Sequence, residues 1–562
     1  MKAGKNNVIL VAVVAVVAVS AIAMMNPSLL HFPNRPESGN LYQEMMRFNE
    51  VLNAVSRYYV DEVDNHKLID GAISGMLETL DPHSVLIAKE QLADVTERFE
   101  GHFFGIGIEF VMSNKWPTIV APIADSPSDR LGLRSGDQII KIEEKTTYNL
   151  PENEIIERLR GQQGSKVQVT IKRPALDDPF DVTIIRDKIS IFSVEPAFLM
   201  DNQTGYIRIK RFSKTTSDEL EQSLTKLEAQ GMKSLILDLR SNPGGFLDQA
   251  VGVADKFLER GRKIVYTRGR IPQASDDFYA TDDDHHPQTP LIVLLDHGSA
   301  SASEIVAGAC QDWDRALVVG ETSFGKGLVQ NQIGLKDGSA IRVTTSKYYT
   351  PSGRLIQRHY ESGHVDNYLE EAYDDIDPNA SADSLKNRPV YKTSSGRLVY
   401  GGGGITPDVN LKWQRYTRLF YELVMNRVFF EYANEFAARN KQLATDFASY
   451  NSSWMPSDKV LSEFRRFAEA VIAGKKLKFD QPSWDTDLPS ITLYLKKEIA
   501  LHLWDRDKAA RVEISNDPQF AEVMRLLPQA EKLAALGEGM DGRPPLKKRG
   551  SDNRETTIRR QF

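Results

Sequence analysis

Cysteine occurs once in the 562 residues, as Cys310. A lone cysteine excludes an intramolecular disulfide and any cysteine-built zinc site. Neither charge dominates: 70 basic side chains face 77 acidic ones, a net charge of −7, which argues against nucleic acid as the main partner. Histidine is scarce, at 10 residues, and none of them falls in a strong catalytic pattern. The one stretch with a hint of metal ligation, "DDDHH" from Asp282 to His286, reads as a solvated loop. No metal and no cofactor is expected. No internal repeat is visible, and the length suits three or four domains.

Long apolar runs are also missing, with one exception. Val8 to Met25 is an uncharged run of 18 residues preceded by Lys2 and Lys5. As a helix it spans roughly 27 Å, enough to cross a bilayer core. The lysines favour a cytoplasmic N-terminus and export of the rest. A membrane anchor and a cleaved signal peptide both fit, since "AIA" at Ala21 to Ala23 resembles a cleavage site. No cysteine follows closely, so a lipoprotein anchor is excluded. The chain after Met25 is expected to be soluble.

What remains divides by pattern. Residues 26–98 read as a Pro/Asn-rich linker and a helical region, broken by the proline turn "LDPHS" at Leu80 to Ser84. Residues 99–190 read as a compact β-rich module, with alternating strands such as "KVQVTIKR". Residues 191–412 alternate strands and helices, which predicts helices packed on a largely parallel sheet. An acidic, Ser-rich insertion at 359–397 interrupts this region and is expected to be a mobile surface element. Residues 413–537 are again helical. The last 22 residues carry seven basic and three acidic side chains, and 538–562 are expected to be a disordered basic tail.

The stretch "DHGSASASEIVAGACQD" sets Ser299, Ser301 and Ser303 where a strand gives way to a helix. Free N–H groups and the helix dipole at that point suit a serine that generates an oxyanion. The same spacing, with Glu304 three residues after Ser301, also suits a capping box. A nucleophile needs a base. His297 sits on the same turn and cannot easily reach around it. "TSFGKGLVQ" follows the next strand and emerges at the same sheet edge. Its Lys326, flanked by glycines, can act as a base if burial depresses its pKa. Gln330 is neutral and can hold the amine without recharging it. "DLRSNPGGF" supplies a third loop, whose Gly244 and Gly245 can expose N–H groups beside that of Ala302.

Together "LILDLRSNPGGF", the serine stretch, "GETSFGKGLVQ", "YYTPSGRLIQ" and "GITPD" resemble the C-terminal processing (tail-specific) serine peptidases. They cover most of residues 205–409, and Lys326 follows Ser301 by 25 positions, as in that family. The resemblance implies an α/β multidomain protein. Its core would be a crotonase/ClpP-like α/β protease fold, with a β-rich PDZ domain at 99–190 and helical N- and C-terminal regions. It implies Ser301 as nucleophile, Lys326 as general base, Gln330 orienting the base, and Gly245 and Ala302 as oxyanion donors. "FFGIGIEF" is similar to a PDZ carboxylate-binding loop, which implies peptide contacts at Phe104, Gly105, Ile106, Gly107 and Ile108.

The protein expected is an exported endopeptidase on the periplasmic side, anchored by its N-terminal segment. Its partners would be unstructured protein C-termini, with homo-oligomers possible through the helical ends. "LDHGSA" departs from the family pattern near Asp296 and His297, without an expected effect on catalysis. Two rival readings are a PDZ-bearing scaffold on an inactive protease core and an acyl-CoA enzyme of the crotonase type. A peptide-cleavage assay separates the first, and the exported location with a PDZ module speaks against the second.

Overall fold

The computed structural model describes residues 41–538 apart from 175, 201, 282–285, 287–288 and 361–387. The Val8–Met25 run, the tail beyond Glu538 and most of the insertion lie outside them. Among the described residues no helix is long and apolar enough to cross a membrane. Residues up to Met76 form one unit and those from Leu77 onward another. The first holds helix α1 (Leu41–Tyr58), which buries none of its residues, and most of α2 (Asn65–Glu78).

The second unit begins with a departure from the helical pattern expected up to residue 98. Val85–Ile87 is a strand, β1, followed by helix α3 (Lys89–Glu100). Three residues are too few for a period to register, so nothing local announces the strand. Next comes the β-rich module. Its elements are β2 (His102–Gly105), β3 (Ile108–Ser113), β4 (Trp116–Pro122), the short helix α4 (Pro127–Arg130), β5 (Gln138–Ile142), helix α5 (Glu152–Leu159), β6 (Lys166–Lys172), β7 (Phe180–Ile185) and β8 (Asp187–Ser190). The sheet runs β3-β4-β5-β6-β7, so β3 is an edge strand, and β2 pairs separately with β8. In β6 every second residue is buried, as a one-sided strand requires. Its Val167, Val169 and Ile171 pack with Ile155 and Leu159 of α5.

The α/β region supplies β9 (Val194–Leu199), β10 (Thr204–Ile209), α6 (Thr216–Ala229), β11 (Ser234–Asp238), α7 (Leu247–Asp255), β12 (Lys263–Gly269), β13 (Asp276–Tyr279), β14 (Leu291–Leu295), α8 (Ala302–Asp312), β15 (Leu317–Gly320), β16 (Leu328–Gly334), β17 (Ala340–Tyr349), β18 (Val390–Lys392), β19 (Leu398–Tyr400) and β20 (Val409–Asn410). The main sheet has the order β9-β10-β11-β14-β15-β20, parallel except for the β9/β10 pair. Strands β11 and β14 are buried at every residue, because both faces of the sheet are covered. On one face Leu235, Leu237, Val293 and Leu295 meet residues of α6, α7 and α8. On the other, Ile236, Ile292 and Leu294 meet Phe520, Val523, Leu527, Ala530 and Leu533 from the end of the chain.

A second, antiparallel sheet went unforeseen. It has the order β1-β17-β12-β13, with β16 also on β17. Part of the insertion, expected to be a mobile surface element, carries secondary structure. Strands β18 and β19 form a hairpin, and between them Arg397 donates to Asp314 at 2.6 Å while Thr393 is buried. The hairpin is thus pinned to the end of α8. The expected C-terminal helices run from Arg418 to Glu538; those up to Val512 surround a cluster that includes Phe420, Phe429, Phe464, Trp484 and Leu495, and the later ones cover the sheet.

Candidate active site

In the parallel sheet the loops after β11, β14 and β15 all leave at the carboxyl edge, where ligands of such sheets bind. These are the loops of Gly244–Gly245, Ser301 and Lys326. Strand β14 lies between β11 and β15, so the serine loop is flanked by the other two.

The three serines have different roles. Ser299 and Ser303 are fully buried. Ser299 Oγ donates to the Leu239 carbonyl at 2.8 Å and Ser303 Oγ to that of Asn242 at 3.0 Å. Both tie the serine loop to the glycine turn. Ser301 alone is partly exposed. It caps α8 with φ 54° and ψ −109°, a backbone state that costs a non-glycine residue about 1–3 kcal/mol and recurs at functional sites.

Glu304 does more than complete a cap. It is fully buried, and its carboxylate accepts from Ser301 N at 2.7 Å, Ser323 Oγ at 2.6 Å, Gly325 N at 2.7 Å and Lys326 N at 2.9 Å. One side chain thereby joins the serine and lysine loops. Burial pushes its carboxyl up, against those hydrogen bonds. Tyr348 adds a second clamp, its hydroxyl lying 3.0 Å from the Ser301 carbonyl and 2.8 Å from that of Lys326. Neither role was legible in advance. Glu304 was visible only as a capping residue, and Tyr348 lies on an unforeseen sheet.

Lys326 Nζ donates to Gln330 Oε1 at 2.8 Å. Burial first, and then the like charge of Arg342, lower the ammonium to about 8, while Glu304 and Asp81 act the other way. Roughly a tenth of the amine is therefore neutral at pH 7, against almost none for a free lysine, and a general base needs that form. His83 is lowered to about 4, by burial and by Lys326, so its ring is neutral there. His297 is directed elsewhere, 3.3 Å from Glu321.

The glycine turn abuts the serine. A Cβ on Gly244 would sit 2.8 Å from Ser301 Cβ and 2.9 Å from Ala302 N. The Gly244 N–H is taken by Asn242 Oδ1 at 2.9 Å. The carbonyls on either side, Phe212 O and Gly244 O, are engaged by Phe246 N and Phe212 N. This leaves the N–H of Gly245, and that of Ala302 in the first turn of α8, as the candidate oxyanion donors. A Cβ on Gly245 would lie 2.0 Å from Phe212 O, so Gly245→Ala must displace the turn. It is expected to lower kcat by about 10²-fold or more, the usual effect of losing one such donor; steady-state rates alongside a thermal melt check it.

In the β-rich module the expected peptide-binding segment spans β2, a two-residue loop and β3. Phe104 is exposed on β2, Gly105 ends that strand, Ile106 is buried, and Ile108 starts the edge strand β3. The Ile106 and Gly107 carbonyls accept from Ser128 Oγ at 2.7 Å and Ser126 Oγ at 2.9 Å, which turns them into α4. Gly107 has φ 79°, and a Cβ there would sit 2.2 Å from Ser126 Cβ. A cavity of about 1000 Å³ lies elsewhere, between this module and the C-terminal helices, lined by Glu109, Arg134, His502 and Arg506 among others. No candidate catalytic residue reaches it.

The model of peptidase family S41 matches residues 203–366 and a PDZ domain model matches 118–173. The model of the activating protease CtpB N-terminal domain matches 19–91, and one of a family of unknown function matches 416–505. These matches define the class, a serine peptidase carrying a PDZ domain. A carboxy-terminal-processing protease of Bartonella bacilliformis is 42% identical over 322 residues, covering 57% of this chain and 74% of that protein. The carboxy-terminal processing protease CtpA of Bacillus subtilis is 34% identical over 313 residues, covering 56% and 66%. Among solved structures, a photosystem II D1 C-terminal processing protease is 27% identical, covering 66% of this chain and 93% of that one with a TM-score of 0.33. The chain belongs to the carboxy-terminal-processing protease family.

Proposed function

We propose that the protein is an exported endopeptidase, anchored by Val8–Met25, which captures unstructured protein C-termini on its PDZ domain and cleaves near them through an acyl-enzyme on Ser301. The observation that carries this reading is the half-buried Lys326, its amine held by Gln330 and its backbone clamped to that of Ser301 by Glu304 and Tyr348. Ser301 Oγ attacks the scissile carbonyl as its proton passes to neutral Lys326 Nζ. The N–H groups of Gly245 and Ala302 receive the oxyanion. The C–N bond then breaks, and the lysine returns the proton to the departing amine. Water, deprotonated by the same lysine, releases the acyl group. The core would be of the crotonase/ClpP type.

Tail capture is proposed for the loop at Gly105–Ile108 and the unpaired edge of β3. A terminal carboxylate would lie on the loop N–H groups while the tail adds to the strand. The full chain carrying Ser301→Ala should bind a peptide with a free, apolar C-terminus more tightly than its amide by about 1–3 kcal/mol, the range for charge-assisted hydrogen bonds. Calorimetric titration with both peptides tests this, and equal affinities would contradict it.

A further inference from the structure

The proposed chemistry leaves one buried cluster unexplained, the proline turn of "LDPHS", which arrives from far up the chain. Gln330 has two polar ends. Its Oε1 faces Lys326 Nζ at 2.8 Å, and its Nε2 donates to the backbone carbonyl of His83, 247 positions earlier. A carboxamide flipped about its last bond would turn its N–H groups toward the lysine and its oxygen toward another oxygen. The His83 carbonyl therefore selects the useful orientation.

Asp81 fixes where that carbonyl lies. Its Oδ1 accepts from His83 N and from Ser84 N, each at 2.9 Å, and its Oδ2 accepts from Ser84 Oγ at 2.7 Å. Asp81 and Ser84 are 4% and 3% exposed, too enclosed for this to be an ordinary surface turn. Ser84 Oγ in turn accepts from Thr344 N at 3.2 Å, and Thr344 is the cross-strand partner of Gln330. The β16/β17 register shifts between Val329 and Gln330, and such a bulge re-aims a side chain. Just beyond the turn, β1 pairs with β17, Val85 opposite Arg342. The turn and Gln330 thus share one frame.

We propose that the Asp81–Ser84 turn belongs to the catalytic apparatus, and that Asp81 is a positioning residue that sets the Gln330 amide against Lys326 through the His83 carbonyl. This rests on the Ser301–Lys326 reading. With one N–H of the amine held by Gln330, the nitrogen lone pair is aimed rather than free to rotate. Among the described residues, the charged or titratable groups around the lysine and Asp81 are His83, Glu304, Arg342, Tyr348 and Tyr360.

The test uses the full chain and one tail peptide. Asp81→Ala should lower kcat by about 10- to 100-fold with little change in KM, as should Gln330→Ala. The double variant should be no slower than the slower single one, because both changes break the same link. Asp81→Asn keeps Oδ1 and should fall between parent and Asp81→Ala. Loss of the carboxylate should also shift its rate–pH midpoint downward, which a merely structural role would not do. If Asp81→Ala does not fold in a thermal melt, Asp81→Asn and Ser84→Ala take its place in the same cycle. Losses that multiply in the double variant, or parental kcat in the Asp81 variants, would overturn the proposal. An active Lys326→Ala would instead sink the Ser–Lys reading itself, so the two failures are distinguishable.

Discussion

Ser301→Ala should abolish peptide cleavage, lowering the rate by at least about 10³-fold, a lower bound on what removing a serine nucleophile costs. Its melting temperature should stay near that of the parent. The side chain is partly exposed, and apart from its share of the capping box the hydrogen bonds that tie the loop to its surroundings are made by its neighbours and by its own backbone. Ser299→Ala and Ser303→Ala should behave in the opposite way. Each removes a hydroxyl donor from a buried carbonyl, Leu239 O or Asn242 O, that keeps a backbone N–H partner from Asn242 or Ala300. The expected result is a stability loss of about 0.5–1.5 kcal/mol, the net worth of one hydrogen bond, and a milder effect on rate. Paired measurements of melting and cleavage across the three variants separate nucleophile from scaffold; a sluggish Ser303→Ala beside an active Ser301→Ala would reverse the assignment.

That division among three neighbouring serines was only half legible beforehand. A strand-to-helix junction can be read from "LIVLLDHGSASASEIVAGA", since a continuous apolar run gives way to small residues and then a helical pattern. The order of strands predicts a parallel sheet, and a parallel sheet brings three successive loops to one edge. So the pattern brings the serine, lysine and glycine loops together, while the choice of Ser301 and Gly245 within them is what the family resemblance implies. Periodicity reports only whether an element has a buried side. It does not say which distant strand will pair with it, so β1, the antiparallel sheet and the clamp from Tyr348 stayed hidden. The same blindness covers the Asp81 turn, where an Asp-Pro-His-Ser stretch reads as a break between helices. Gly107 was legible as a turn residue, but its contact with Ser126 comes from a helix many residues later. Arg397 looked like part of a polar insertion because its partners, Asp314 and Asp408, lie on other elements.

Lys326 carries the second large effect. A free lysine, with a pKa of about 10.4, is almost wholly charged at neutral pH. Here burial and Arg342 lower it to about 8. The neutral amine is the form that accepts the serine proton, so the rate should rise with pH through that ionisation and then level off. Lys326→Arg should be as inactive as Lys326→Ala, because a guanidinium keeps its proton, and both should lose at least about 10³-fold. Gln330→Ala should be less damaging, since it removes the aim of the base and not the base.

The most direct test of a Ser301–Lys326 pair is kcat/KM for one tail peptide, followed from about pH 6 to about pH 10 in the parent and in Lys326→Arg. The parent should climb along a single ionisation near 8 to a plateau, and Lys326→Arg should stay at background throughout. A Lys326→Arg enzyme that cleaves at near-parental rate, with a limb at the pH where a histidine titrates, would contradict the account and return the search to His297.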